Sequence, residues 1–357
     1  MSDSQKLIEA FDARVERRND RRAFFTTALG AAAVGAGAFA FASAASAQSA
    51  ANIGAQQDLD ILNFALNLEY LEANFYSYAV FGTPIAASMT TGTGTNGYTT
   101  SATYNAGARA VNFQDPVVAA YAKEIAQDEI NHVNFLRSAL TSAAVAQPTI
   151  DVGITPTGAF STAARAAKLI PDAGTGNTQT SFFDVYASDD NFLLGAFIFE
   201  DVGVTAYKGA SPLISNATYL SAAAGILAVE AYHASLVRTV LYARGTSSGG
   251  TAIPAAYGGG TYPARTPIPA LITSATAISD ARDSLDGSSD DDQGIASSTI
   301  NGANATNIVP TDSNGLAYSR TPGSVLNIVY LSKAAITAGG FFPNGVNGNI
   351  KTSTLQS

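Results

Sequence analysis

Asp128-Glu129-Ile130-Asn131-His132-Val133 and Glu230-Ala231-Tyr232-His233 decide the reading of this 357-residue chain. Each stretch places a His three residues after a Glu. Residues 48–357 hold only six Glu (Glu69, Glu72, Glu124, Glu129, Glu200 and Glu230) and two His, so both His obey one pattern. Spacing i, i+3 puts both side chains on one face of a helix. That face is apolar. Val118, Tyr121, Ile125, Glu129, His132 and Leu136 form one stripe, and Ala223, Ile226, Glu230, His233, Val237 and Leu241 form another.

Four long helices are predicted around these stripes. The first runs from about Ala55 to Phe81 and stops at Gly82, a natural residue after a helix end. Along it Leu59, Leu62, Leu66, Glu69, Glu72, Phe75 and Tyr76 recur at helical spacing. The second opens at Asp115-Pro116, a capping residue followed by Pro, and reaches about Ala143. The third spans about Ser188 to Gly209, with Leu193, Phe197, Glu200, Val204 and Tyr207 in line. The fourth runs from about Asn216 to Arg244-Gly245. Long irregular loops are expected at residues 82–114 and 144–187, the latter with a short helix near Thr162–Leu169. Beyond residue 245 the chain is rich in Gly, Ser, Thr, Asn and Pro, and one short helix is expected there, from Pro322 to about Ala335.

Glu69, Glu129, Glu200 and Glu230 thus take core positions, and no Lys or Arg shares their stripes. Burying four carboxylates is prohibitive unless something positive pairs with them. Two divalent cations would balance them charge for charge, with His132 and His233 completing the donor set. Glu72 is the alternative to Glu69 on the first helix. Tyr76 lies seven residues after Glu69, and Tyr207 seven after Glu200, which favours Glu69 and suggests a duplicated unit. Glu124 and Asp128 are expected to face solvent. The acidic run Asp283, Asp286, Asp290, Asp291 and Asp292 lacks the spacing of a calcium loop and is read as solvated.

One Glu from each of two helices and Glu-x-x-His from each of two others is the constellation of di-metal carboxylate bundles. With the phrase Ile61-Leu62-Asn63-Phe64-Ala65-Leu66-Asn67-Leu68-Glu69-Tyr70-Leu71-Glu72-Ala73, the chain resembles the ferritin-like superfamily. In particular it is similar to exported bacterial ferritin-like domain proteins related to plant desiccation-related proteins. The resemblance covers about residues 55–245, with 278–348 typical of the same group. It implies a mainly α, ferritin-like antiparallel four-helix bundle with a loop-rich C-terminal extension. It also implies two Fe or Mn ions, Tyr76 and Tyr207 beside them, and redox work on O₂ or H₂O₂ of ferroxidase, peroxidase or catalase-like type. The competing expectation is a non-enzymatic stress-protective or envelope protein with a structural or vestigial metal.

Composition bounds the rest. The chain is 13% charged with a net charge of -9, and it has no Cys. The acidic balance argues against nucleic acid as a partner, and the missing Cys excludes thiolate sites and disulfides. Residues 1–47 read as an export signal: Arg21-Arg22-Ala23-Phe24-Phe25, a mild apolar run, and Ala45-Ser46-Ala47 at the exit. The paired arginines point to the Tat route, hence to a periplasmic or extracellular protein beginning at Gln48. The expected organisation is a signal over 1–47, a bundle over 48–245 and an extension over 246–357, with no membrane span after processing. A homo-oligomer is compatible with this reading.

Overall fold

The computed structural model describes residues 44–172, 181–246, 270–300 and 302–356. The expected export signal lies outside the described residues except for the backbone of 44–47. Helix α1 spans Ala44–Phe81, longer at its start than the apolar periodicity alone indicated. It ends where Gly82 takes φ +74°, a conformation that costs a residue without Cβ little. Helix α2, Tyr98–Tyr104, is a short piece of the first insertion. Helix α3, Pro116–Leu140, starts with the Asp115 side chain accepting from Val117 N at 3.0 Å. Helix α4, Ala159–Ala166, follows in the second insertion. Helix α5, Asp189–Ala210, is capped by Ser188, and two acids in its first turn favour the positive end of the helix dipole. Helix α6, Ala217–Thr246, opens with Asn216 Oδ1 accepting from Thr218 N and Tyr219 N.

Long-range contacts fix how these helices run. Asp58 on α1 accepts from Ser215 N at 2.7 Å, while Tyr76, further along α1, reaches Glu200 near the middle of α5. Rising numbers on α1 therefore meet falling numbers on α5. The same holds for α5 and α6, where Asp201 pairs with Arg238 at 2.8 Å and Asp190 pairs with Arg244. It holds for α3 and α6, where Asp115 meets Arg244 at 3.1 Å and Asp128 meets His233 at 3.3 Å. On the remaining side, Ala79 O of α1 accepts from Val111 N just before α3, and Asn63 reaches Ala143 just beyond its end. Each helix is antiparallel to both neighbours, which is a closed four-helix bundle.

The C-terminal extension is more ordered than its composition suggested. It carries helix α7, Ala270–Asp286, which the Ser/Thr-rich sequence had concealed. Two three-residue strands follow, β1 Ser298–Ile300 and β2 Ala303–Ala305, paired antiparallel. Helix α8, Pro322–Val329, stops six residues before the expected end, and Leu331 sits at φ +55°.

The acidic run is not simply solvated. Asp286 and Asp292 are buried and paired with Arg320, and Arg282 joins Asp292 at 2.7 Å and Asp201 at 2.9 Å. An alternating chain of buried charges thus runs from Arg238 and Asp201 of the bundle to Asp286, Asp292 and Arg320 of the extension. At the other end Asn347 exchanges hydrogen bonds with Asn67 of α1, at 2.9 and 3.0 Å. Phe75, Phe160, Phe192, Phe199 and Phe341 stack in one buried cluster that joins α1, α4, α5 and the extension.

Candidate metal centre

Midway along the bundle the four helices present their acids to one another. Glu69 comes from α1, Glu129 and His132 from α3, Glu200 from α5, and Glu230 and His233 from α6, and all six are buried. His132 Nδ1 lies 3.2 Å from Glu69 Oε2, 3.5 Å from Glu129 Oε2 and 3.6 Å from Glu230 Oε1. His233 Nδ1 lies 3.1 Å from Glu129 Oε1 and 3.6 Å from Glu200 Oε2. Donor atoms of Glu69, Glu129, His132 and Glu230 fall within 4.8 Å of one another, as do those of Glu129, Glu200 and His233. Glu129 belongs to both groups because its two oxygens face different His. Glu230 is grouped with His132 alone, which makes the cluster less symmetric than the paired motifs suggest.

The tyrosines are reciprocal. Tyr76 of α1 donates to Glu200 Oε1 of α5, and Tyr207 of α5 donates to Glu69 Oε1 of α1. Each phenol occupies one oxygen of its Glu and leaves Oε2 turned toward a His. One acid departs from the sequence reading. Asp128 is half-buried rather than fully solvated, and its Oδ2 lies 3.3 Å from His233 Nε2. The 100° step from Glu129 points it at α6, so knowing the order of helices around the bundle would have found it. Glu72 is buried one turn from Glu69 but belongs to neither donor group. Glu124 is exposed, as expected.

Burial sets the electrostatics of the cluster. Burial raises Glu69 to about 7 and Glu200 to about 8, although a nearby His works against each shift. Burial and the charges of neighbouring Glu hold Glu72 and Glu230 well above the usual carboxylate range. Glu129 resists its burial because two His hold it below the ordinary value. Burial alone would lower the two His, but the carboxylates around them raise His132 to about 11 and His233 to about 9.

Glu129 Oε1 and Oε2, Glu200 Oε2, Glu230 Oε1 and Oε2, and His233 Nδ1 are buried without a hydrogen bond. Glu129 Oε1 and His233 Nδ1 are close enough for one, yet the ring N–H does not aim along it. Buried polar groups are normally satisfied. Converging lone pairs that miss one another are the arrangement of ligands around a shared centre. The residues fit divalent metal: four carboxylates and two imidazoles are hard-to-borderline donors suited to Fe or Mn and poorly suited to Cu(I). Among the described residues no Lys or Arg forms an ion pair with these four Glu.

The chain is 27% identical over 306 residues to the desiccation-related protein PCC13-62 of Craterostigma plantagineum, covering 82% of this chain and 84% of that one. It is 26% identical over 301 residues to the ferritin-like catalase Nec2 of Nesocodon mauritianus, covering 83% and 85%. A family model for the ferritin-like domain matches residues 57–243, more than half of the chain and the whole span that carries the six donors. The chain belongs to the ferritin-like domain family.

Proposed function

We propose that the buried cluster binds two Fe or Mn ions and that the protein is an oxidoreductase consuming H₂O₂ or O₂, or oxidising metal. The observation that carries this reading is the set of buried, unbonded carboxylate oxygens converging on His132 and His233. The similarity to a protein named as a ferritin-like catalase supports it. Glu69, Glu129, His132 and Glu230 would hold one ion, and Glu129, Glu200 and His233 the other, with Glu129 shared. Bound Fe or Mn would supply one-electron redox steps and open coordination for a small oxidant.

The chain's own residues set the conditions. Ile125, Phe197 and Ile226 are buried on the same helix faces and exclude bulk water. Asp128 holds His233 by its outer nitrogen, so that Nδ1 faces inward. Burial keeps the Tyr76 and Tyr207 phenols protonated well above their ordinary range, and each holds its proton against a Glu oxygen. Each is a proton donor bonded directly to a candidate ligand. Arg21-Arg22 and Ala45-Ser46-Ala47 support Tat export and action in the periplasm or outside the cell.

Loading the mature protein with Fe²⁺ or Mn²⁺ and adding H₂O₂ should give two metals per chain, peroxide loss and a change in metal-centred absorbance. The similarity to a desiccation-related protein favours a second reading, a stress-protective protein with a structural metal. Two bound metals with neither signal, in wild type and Tyr76→Phe alike, would select that reading.

A further inference from the structure

Glu72 is an acid without a task in the proposed centre. It is buried at 6% exposure on α1, and its carboxyl makes no hydrogen bond to any described residue. It lines a cavity of about 20 Å³ between α1, α5 and α8, together with Leu71, Gly203, Tyr207, Val329 and Phe341. Such a space admits a molecule of one or two heavy atoms.

Two of the lining residues touch the centre. Tyr207 donates to Glu69. Gly203 lies directly against Glu230, where a Cβ would overlap Glu230 Oε2. At that point the wall between cavity and centre is a glycine. A larger cavity, about 80 Å³, is lined by Asp201, Thr205 and Tyr318 among others, and by none of the six candidate ligands.

We propose that the smaller cavity is the pocket through which hydrogen peroxide reaches the centre, that Glu72 is its hydrogen-bonding partner, and that Val329 and Phe341 of the C-terminal extension set its size. The inference rests on the metal-centre reading and adds the identity of the oxidant. H₂O₂ both donates and accepts hydrogen bonds, so it pairs with a carboxyl in either protonation state. O₂ donates none and gains little from Glu72. The remaining walls are mostly apolar, so an uncharged molecule of two oxygen atoms fits and an alkyl hydroperoxide does not.

The test uses the metal-loaded mature protein. Glu72→Leu removes the hydrogen bond at similar volume and should raise KM for H₂O₂ about tenfold, the worth of one such bond. Glu72→Gln, which keeps a hydrogen-bonding group, should raise KM less than Glu72→Leu does, and both variants should keep the wild-type metal content. Val329→Phe should slow association of nitric oxide, an uncharged diatomic, with the Fe²⁺-loaded protein about tenfold or more, read from metal absorbance without turnover. Val329→Ala should admit tert-butyl hydroperoxide, which wild type should refuse.

A Glu72→Leu variant with wild-type KM, or nitric oxide arriving at wild-type rate in Val329→Phe, overturns the pocket while leaving the metal reading intact. A wild type that takes up no metal fails the metal reading itself, and the pocket with it. A wild type that binds metal but leaves peroxide untouched overturns the assignment of peroxide to this cavity, whatever the nitric oxide rates.

Discussion

Stripped of metal by a chelator, the protein should lose stability as pH rises from mild acid to about 8, and Mn²⁺ or Fe²⁺ should reverse the loss. Burial places Glu69 at about 7 and Glu200 at about 8, against an ordinary value of 4.5. Between those values the folded chain keeps protons that the unfolded chain has released. Their contribution to stability is complete below 4.5 and is lost as pH climbs to the folded values. The His residues act in the same direction at higher pH. The unfolded chain releases their protons near 6.5, whereas the folded chain keeps them to about 9 at His233 and about 11 at His132.

Glu129 is lowered and has the opposite sign, but its contribution is lost only in acid below the window. Each retained proton is worth about 1.4 kcal/mol per pH unit. Glu69 and Glu200 alone, moderated by water entering the cluster, give on the order of 1–3 kcal/mol per unit above pH ~5, and Glu72 and Glu230, also raised, add in the same direction. Urea midpoints at pH 5, 6, 7 and 8, with and without metal, measure this directly. Asp151 and Asp292, both raised to about 6 by burial, titrate with the same sign in either form, so the difference between metal-free and loaded protein isolates the centre. Calorimetry of Mn²⁺ binding near pH 6.5 in two buffers should show at least two protons released per chain. A metal-free protein whose stability is flat or rises over this range, or metal uptake without proton release, would refute the reasoning.

Glu129→Gln should reduce bound metal below that of any other single Glu substitution, because its oxygens serve both donor groups; metal analysis after gel filtration reads it. Tyr207→Phe leaves Glu69 Oε1 without its donor and should cost about 1–3 kcal/mol of metal-free stability with metal stoichiometry unchanged. Arg282→Met takes one of two guanidinium partners from each of Asp201 and Asp292, which keep Arg238 and Arg320, and should destabilise by about 1–3 kcal/mol, seen as a lower Tm. Replacing Arg21 and Arg22 by Lys should block export if the route is Tat, and normal export of that variant would point to Sec.

The bundle was legible because its signal is local. Glu-x-x-His needs only one helix, and capping at Asp115-Pro116 and Ser188 is set by neighbours in sequence. The convergence of Glu69, Glu200 and the two motifs follows once each lies on an apolar stripe, since a polar residue on such a stripe has nowhere else to face. What failed is non-local. Asp128 looked solvent-facing because its partner, His233, is more than a hundred residues away. Helix α7 was hidden because Ser and Thr weaken its helix propensity, and its apolar positions Leu271, Ala275 and Ile278 gain a partner only when the bundle is present. The acidic run looked solvated because Arg282 and Arg320 cannot be paired with it from spacing alone.

Helix α5 explains why the extension and the centre belong to one design. Glu200 turns into the cluster, while Asp201, one residue on, turns outward and receives Arg238 and Arg282. Arg282 also donates to Phe197 O, one turn before Glu200, and its guanidinium lies 4.9 Å from the Phe197 ring centre. Arg320 N donates to Thr205 O at 3.0 Å, and the Arg320 guanidinium to the Thr205 hydroxyl at 2.8 Å. The helix that supplies Glu200, Gly203 and Tyr207 is thus held along its outer face by the extension, over the turns from Phe197 to Thr205. A short helix packed on one side only would let Glu200 drift by the tenths of an ångström that metal ligation does not tolerate. Burial on every side, with Arg238 of the bundle and Arg282 of the extension both paired to Asp201, fixes the rotation of α5 about its own axis, and that rotation decides whether Glu200 or Asp201 faces the candidate metal centre.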